Sequence, residues 1–503
     1  MTTPQCPFSV DAGVLVVVYD GVLMAHCFRA LGWSLPVNIV DIHIESRVAT
    51  NGVIKPDDIS IDLMLNICGL KHAAAGMPQL NTIKHIELLF DRLVQQSVCL
   101  ERALYRASYT PVCTEIERVG IPIDVDLYNR LKQNLPSILN SIIADVDEQY
   151  HIYDGPHLNP DKFRQYLNKC GLPVHYDKYE QIDVSYDTIK MLSKSYSLLT
   201  PIKEVEWLIN QLKINELAIG ADGRNRSSIR PYRATTGRNQ PKTSQNIVCW
   251  SGFMRRLIKP GPGRAIAEID FKNEEFGIGA ALSSDGNMIA AYNSDDVYIE
   301  FAKQCGVNMA SIDGADRVSV RDRYKMALLA IGYGIGNASL ARRLGIPLPY
   351  AREIIEQHHR IYPTYWDWSE AAVDYGTYYG VLRTRQGWPL HITEDMTPES
   401  IRNFPLQAHG SEIIRLSCAL AQDRGVIICM PIHDALLIES RVRDINDAAL
   451  TAKLAMEDAS EQILGGFILE AKVKNICTYP NAFNPDKGYD VWNRITKKLK
   501  HLI

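Results

Sequence analysis

The stretch Arg321-Asp322-Arg323-Tyr324-Lys325-Met326-Ala327-Leu328-Leu329-Ala330-Ile331-Gly332-Tyr333-Gly334 organises the reading of the whole chain. Its helical pattern covers Val320 to Ile331, and positions 321, 325, 329 and 333 step by four. On a helix such a step makes one stripe about three turns long, roughly 18 Å. Two cations stand at one end, an aliphatic side chain follows and a phenol closes the other end. That is a shape for a nucleotide, with phosphates on Arg321 and Lys325 and the sugar and base toward the aromatic end. The competing reading is a solvated Arg/Lys pair on an amphipathic helix. The chain has no G-x-x-x-x-G-K-[ST], so a triphosphate would have to be gripped by side chains of this kind.

Outward from this stretch, two aspartates stand beside apolar runs. Arg264 to Ile269 reads as a short strand that delivers Asp270, followed by Phe271, Glu274 and Glu275. Val426 to Ser440 reads as a β-hairpin with His433 and Asp434 near its turn. Each has a bland alternative: Asp270 as a helix N-cap and Asp434 as a turn residue. Brought together, two carboxylates repel unless a cation lies between them. Mg²⁺ takes oxygen ligands, commonly one or two carboxylates plus substrate phosphates.

Upstream, Ala221 to Arg264 holds ten basic residues and one acidic residue, in a chain whose net charge is −4. With Pro, Gly, Ser, Thr and Asn in the gaps, the segment reads as an extended cationic strip suited to a phosphate backbone. A solvated basic loop is the alternative.

The chain has 503 residues, 46% of them hydrophobic and 22% charged, an ordinary globular composition. Length alone suggests about three folding units. No apolar run reaches the roughly 18 residues of a membrane span. The run Gly13 to Met24 is broken by Asp20 and lacks the flanks of a signal peptide. Eleven scattered cysteines, with no C-x-x-C pair, argue for reduced thiols rather than zinc or a disulfide framework. Strands are expected at Gly13–Val18 and Val37–Ile44, and a closing strand at Phe467–Val473. Helices are expected at Val125–Gln149, Lys203–Leu217, Asp296–Gln304, Ala351–Arg360, Pro363–Tyr375 and Arg443–Leu464. Helices on an antiparallel sheet make the fold class α+β.

Basic strip, aspartate strand, Arg/Lys/Tyr helix and His-Asp hairpin occur in that order, and two-metal phosphoryl transfer needs these parts together. In this order the sequence resembles the family A (DNA polymerase I-like) DNA polymerases, in their short phage and prophage branch. Thr235-Thr236-Gly237-Arg238 with Gln245-Asn246 is similar to the primer-template contact motif. Asp270 to Phe276 resembles motif A; Arg321, Lys325 and Tyr333-Gly334 carry the spacing of motif B; Asn403 to Gln407 resembles the primer minor-groove segment; and His433-Asp434 resembles motif C. The resemblance covers about residues 106 to 490.

It implies a right-hand polymerase: a thumb at about 106–220, a palm at about 221–285 and 400–503 with an antiparallel sheet, and fingers at about 286–399. A truncated, inactive α/β domain resembling a 3′–5′ exonuclease would occupy 1–105. It implies template-directed addition of dNTPs to a primer 3′-hydroxyl, without proofreading. Asp270, Asp434 and the Phe271 carbonyl would hold two Mg²⁺, with Lys325 catalytic. Arg321 and Lys325 would bind the triphosphate. Tyr333 and Glu275 would exclude the 2′-hydroxyl, and Leu329 would stand where an aromatic usually does. Arg238, Gln245, Asn246, Arg255, Arg256, Gln407 and His433 would hold primer and template. Primer-template DNA and dNTPs are the expected partners, with replication accessory proteins, no membrane, a monomeric state and a cytoplasmic location, the bacterial host's if phage-encoded.

Three departures stand out. Motif C ends His433-Asp434-Ala435, without the usual third carboxylate. Leu329 puts sugar 3′ discrimination in doubt, and Tyr298 replaces a frequent histidine. In the N-terminal part the opening Asp-x-Glu strand and the later Tyr-x3-Asp motif are not recognisable, and Asp41 and Glu45 are too few carboxylates for a nuclease. A single-subunit RNA polymerase and a non-catalytic DNA-binding scaffold are the alternatives.

Overall fold

A computed structural model describes residues 5–55, 57, 59–70, 82–95, 99–212, 217–485 and 488–502. The chain divides into two units. The first comprises 1–119, 228–240 and 267–476, and the second 120–227, 241–266 and 477–503.

The first unit opens with β1 (Leu15–Val18), α1 (Gly21–Ala30) and β2 (Asn38–Asp41), with β1 and β2 paired in parallel. α2 (Ile42–Thr50) follows β2 without a loop, because the Asp41 carboxylate caps it by accepting from Ile44 N at 3.1 Å. The expected strand Val37–Ile44 therefore ends early. Val40, Ile42 and Ile44 alternating with Asp41 and His43 read as period two, but the cap decides. In α3 (Leu100–Ala107), Arg106 donates to both oxygens of Glu45 at 2.8 and 2.6 Å, and both side chains are buried.

β3 (Arg264–Phe271) is buried over most of its length, as a strand with neighbours on both sides should be. α4 (Glu274–Ser283), α5 (Val297–Gln304), α6 (Gly314–Gly332) and α7 (Pro363–Tyr379) come next. A small antiparallel hairpin, β4 (Val381–Arg383) and β5 (Pro389–His391), leads to α8 (Pro398–Asp423). β6 (Ile427–Ile432) and β7 (Ala435–Arg441) form the antiparallel hairpin, followed by α9 (Ile445–Leu464) and β8 (Ala471–Thr478). The four-stranded sheet has the order β6-β7-β3-β8. α9 turns Ala449, Ala452, Ala455 and Ala459 inward, and these small side chains let it lie close along α8. The closing strand lies at Ala471–Thr478 rather than at Phe467–Val473. Its middle residues are largely exposed and polar, so apolar alternation could not locate it.

The second unit is mostly helical. Val125–Tyr150 starts at Asp124, whose carboxylate accepts from Leu127 N at 3.0 Å and pairs with Lys259 at 2.9 Å. Tyr489–Leu502 packs on that helix through Lys498, 2.8 Å from Asp145. The helix expected at Lys203–Leu217 runs Thr200–Gln211, and residues 213–216 of that expectation lie outside the described residues.

The basic strip is not one extended ribbon, because its residues divide between the two units. Many of its cations have partners inside the protein. Arg226 pairs with Asp222, Arg230 and Arg233 with Asp57, and Arg224 donates to Gly120 O. Its apolar members Ile229, Tyr232, Ile247 and Phe253 are buried. None of the eleven cysteines, all of them among the described residues, forms a disulfide. Among the described residues no helix is long and apolar enough to cross a membrane.

Candidate active site

The β6–β7 turn has only two residues, His433 and Asp434, since Ile432 pairs with Ala435. His433 has φ +55°, and Asp434 is not left-handed. A left-handed first residue is the type II′ arrangement, where glycine is the usual occupant. A histidine held there carries backbone strain that the surrounding sheet sustains. The turn is tied to the end of β3, where Phe271 N donates to Asp434 O at 3.3 Å. Asp270 and Asp434 thus stand at neighbouring strand ends, both on the wall of a cavity of about 520 Å³.

Asp270 is buried. One of its carboxylate oxygens meets the ammonium of Lys474, and the other has no hydrogen-bond partner. Burial raises the pKa of Asp434 above the usual carboxylate range and Glu275 repels it further, while His433 and Arg238 oppose the shift. Glu274 is also buried; burial and the nearby charge of Asp434 push its carboxyl up to about 8. A short-range cluster of acids in a partly dry cavity is electrostatically costly without a cation.

Lys325, Leu329 and Tyr333 of the stripe also line this cavity, as do Phe271, Glu275, Arg238 and His433. Tyr333 lies just past the end of α6 as its C-cap. Its hydroxyl donates to Glu275 at 2.5 Å, and Arg238 holds the other oxygen of Glu275 at 3.3 Å. Burial first, then Glu275, raises the pKa of the Tyr333 phenol.

Arg321 is held beside the cavity by Asp296, at 2.5 Å. Asp296 also caps α5, accepting from Tyr298 N and Ile299 N. The guanidinium of Arg321 and the ammonium of Lys325 lie 5.2 and 5.4 Å from the centre of the Tyr298 ring, a cation–π arrangement that fixes both charges. Tyr298 itself lines the cavity.

Gln407 follows the cavity residue Leu406 on α8 and is half-buried. Gln245, Asn246, Arg255 and Arg256 belong to the second unit. There Asn246 is buried and caps the turn at Val248, Arg255 donates to Val248 O at 2.9 Å, and Arg256 lies over the Tyr489 ring. The sequence reading missed Lys474 because it ended the last strand at Val473. It also assigned no role to Glu274, although burial beside Asp434 sets that residue apart.

An α+β fold thus brings two carboxylates, Lys325 and an aromatic wall to one cavity, with Arg321 at its edge, the set of groups that phosphoryl-transfer chemistry uses. Residues 138–474 match the family described as DNA polymerase family A. The chain belongs to that family. It is 23% identical over 411 residues to DNA polymerase I of Chloroflexus aurantiacus, covering 75% of this chain and 43% of that protein. It is 24% identical over 221 residues to the thermostable DNA polymerase I of Thermus thermophilus, covering 41% of this chain and 26% of that protein. The DNA polymerase of Mycobacterium phage D29 is 22% identical over 251 residues, 49% of this chain and 40% of that protein. The chain thus spans less than half the length of these relatives. The POL domain of Pol1 from M. smegmatis, solved with DNA primer-template and dNTP, has the same fold. It superimposes with TM-score 0.74 at 19% identity, covering 93% of this chain and 86% of that chain.

Proposed function

We propose that the protein is a DNA-directed DNA polymerase that adds dNTPs to a primer 3′-hydroxyl. The observation that carries this reading is the convergence of Asp270, Asp434, Lys325 and Tyr333 on one cavity, within a chain of DNA polymerase family A. The donor set fits a hard divalent cation: a buried and a half-buried carboxylate on neighbouring strand ends, the buried one with an oxygen that no hydrogen bond satisfies. Asp270, Asp434 and the Phe271 carbonyl would hold two Mg²⁺. When bound, Mg²⁺ supplies a lowered pKa at the attacking hydroxyl and charge neutralisation on the triphosphate.

The remaining work falls to the chain's own side chains. Lys325 and Arg321, steadied on Tyr298, bind the triphosphate. Tyr333 and Glu275, joined by their hydrogen bond, close the space a 2′-hydroxyl would need, and Arg238 anchors Glu275. Leu329 packs where the nucleotide sugar lies. His433, Gln407 and Arg238 orient the primer terminus; in the second unit Gln245, Arg255 and Arg256 are the candidate DNA contacts, and Asn246, expected among them, is buried and shapes the turn beside Gln245. In this reading the thumb lies at about 106–220, the palm at about 221–285 and 400–503, and the fingers at about 286–399. The protein works as a monomer in the cytoplasm.

The N-terminal part, about 1–105, acts as a scaffold without proofreading. Support comes from how its two candidate nuclease carboxylates are occupied. Glu45 is spent on Arg106, and Asp41 caps α2 and accepts from Gly21 N at 2.7 Å. The test is primer extension with dNTPs or rNTPs, beside a lane without nucleotides. Extension with dNTPs alone is expected; equal use of rNTPs would favour an RNA polymerase, and primer shortening without nucleotides would reveal a nuclease.

A further inference from the structure

Helix α7 carries Tyr365 near its start, on the cavity wall, and ends at Tyr379. At 1.5 Å per residue, the two ends are about 21 Å apart. Tyr375, Tyr378 and Tyr379 are 53%, 82% and 61% exposed. The Tyr375 and Tyr379 rings lie 4.5 Å apart between centroids, and those of Tyr378 and Tyr379 4.9 Å apart. The first pair is tilted by 42° and the second meets edge to face at 82°, so the cluster turns ring faces to solvent in more than one direction.

The chain then turns at Gly380 into the β4–β5 hairpin, which brings exposed Arg383 and Arg385. Exposed Arg102 of α3 reaches the hairpin tip, so close that a Cβ on Gly387 would lie 2.7 Å from its guanidinium. Among the described residues none of these three arginines has an ion pair. The neighbouring acids Glu101 and Asp374 do not engage them. Burial, then the charges of Arg102 and Arg106, lowers the pKa of Arg383, and the nearby Tyr375 opposes the shift, which places Arg383 beside the tyrosine cluster.

We infer that this face binds single-stranded DNA. Contiguous exposed rings offer stacking surfaces that only unpaired bases can use, and uncompensated guanidinium groups match a phosphate backbone. A duplex would present its backbone but no free base faces. The source of the strand, an unpaired template leaving the cavity along α7, rests on the polymerase reading; the binding surface does not.

The test is fluorescence anisotropy of a labelled oligothymidine single strand of about twelve nucleotides, beside a blunt duplex. The proteins are the wild type, Tyr378→Ala/Tyr379→Ala, Tyr378→Phe/Tyr379→Phe and Arg383→Ala/Arg385→Ala. The alanine pair is expected to weaken single-strand binding by about tenfold or more. The phenylalanine pair should keep it within about twofold, and the arginine pair should weaken it with a shallower salt dependence. Blunt-duplex binding by the alanine pair should not change, because its loss is one of stacking. Wild-type binding by the alanine pair, as expected if the face docks a protein instead, overturns the inference. So does an equal loss on the blunt duplex, or a loss in the phenylalanine pair as large as in the alanine pair. The phenylalanine pair keeps the rings, so it tests stacking even if the alanine pair unfolds. Single-strand binding by a protein that fails to extend primers would leave this surface standing and remove only the polymerase reading.

Discussion

Glu45 is where the structural and nuclease readings of the N-terminal part diverge most sharply. Its carboxylate is buried against Arg106 in a two-point ion pair at 2.8 and 2.6 Å. Glu45 is 1% exposed and Arg106 5%. Removing one partner strands the other charge where water cannot reach it, a loss of about 3–5 kcal/mol. Against a typical stability of about 5–15 kcal/mol, that is about a fifth or more of the total. Glu45→Ala and Arg106→Ala should each lower the denaturant midpoint accordingly, read by circular dichroism. The double change Glu45→Met/Arg106→Met should recover most of the loss, because two apolar side chains leave no uncompensated charge. The effect should propagate to Trp388, which packs on Tyr232 at 5.1 Å, since the Tyr232 hydroxyl donates to Arg106 O. Single changes that cost less than about 1 kcal/mol, or a wild-type primer-shortening activity lost on Glu45→Ala, would refute the structural assignment.

Lys474 occupies an Asp270 oxygen that the proposed cation would need, so Lys474→Met should tighten Mn²⁺ binding, followed by electron paramagnetic resonance without nucleotide. The expected gain is about fivefold, the factor for roughly 1 kcal/mol from a partly exposed pair. Glu275→Ala should lower the preference for dNTPs over rNTPs by about tenfold, or about 1.4 kcal/mol, in single-nucleotide insertion kinetics. Tyr333→Phe should lower it less, because the ring remains. Burial pushes the Glu412 carboxyl up to about 7, although Thr384 donates to it. The stability that this gives is fully present below the unfolded carboxyl pKa of about 4.3 and is lost as pH rises through about 7. Glu412→Gln should flatten that slope in thermal unfolding between these limits. Asp41, also raised to about 7, should keep part of it.

The parts legible in the sequence were those with strong local signals. The helix expected at Asp296–Gln304 is α5, with Asp296 as its cap, and the expected hairpin holds His433 and Asp434 in its turn. The four-residue step delivered Lys325, Leu329 and Tyr333 to one cavity and Arg321 to its edge. What stayed hidden depends on contacts distant in sequence. Glu45 meets Arg106 across 61 positions, and Asp270 meets Lys474 from a polar strand without alternation. The cationic strip misled for the same reason: its charges looked free in one dimension, whereas Asp57 and Asp222 take several of them in three.

The most direct test of the polymerase assignment is Mg²⁺-dependent extension of a primed DNA template by the wild type, Asp270→Asn and Asp434→Asn, with template binding measured in parallel. The account predicts dNTP extension by the wild type and its loss, by about a thousandfold or more, in both variants while they still bind the template. Undiminished extension in either variant, or a wild type that binds the template and never extends it, would contradict it.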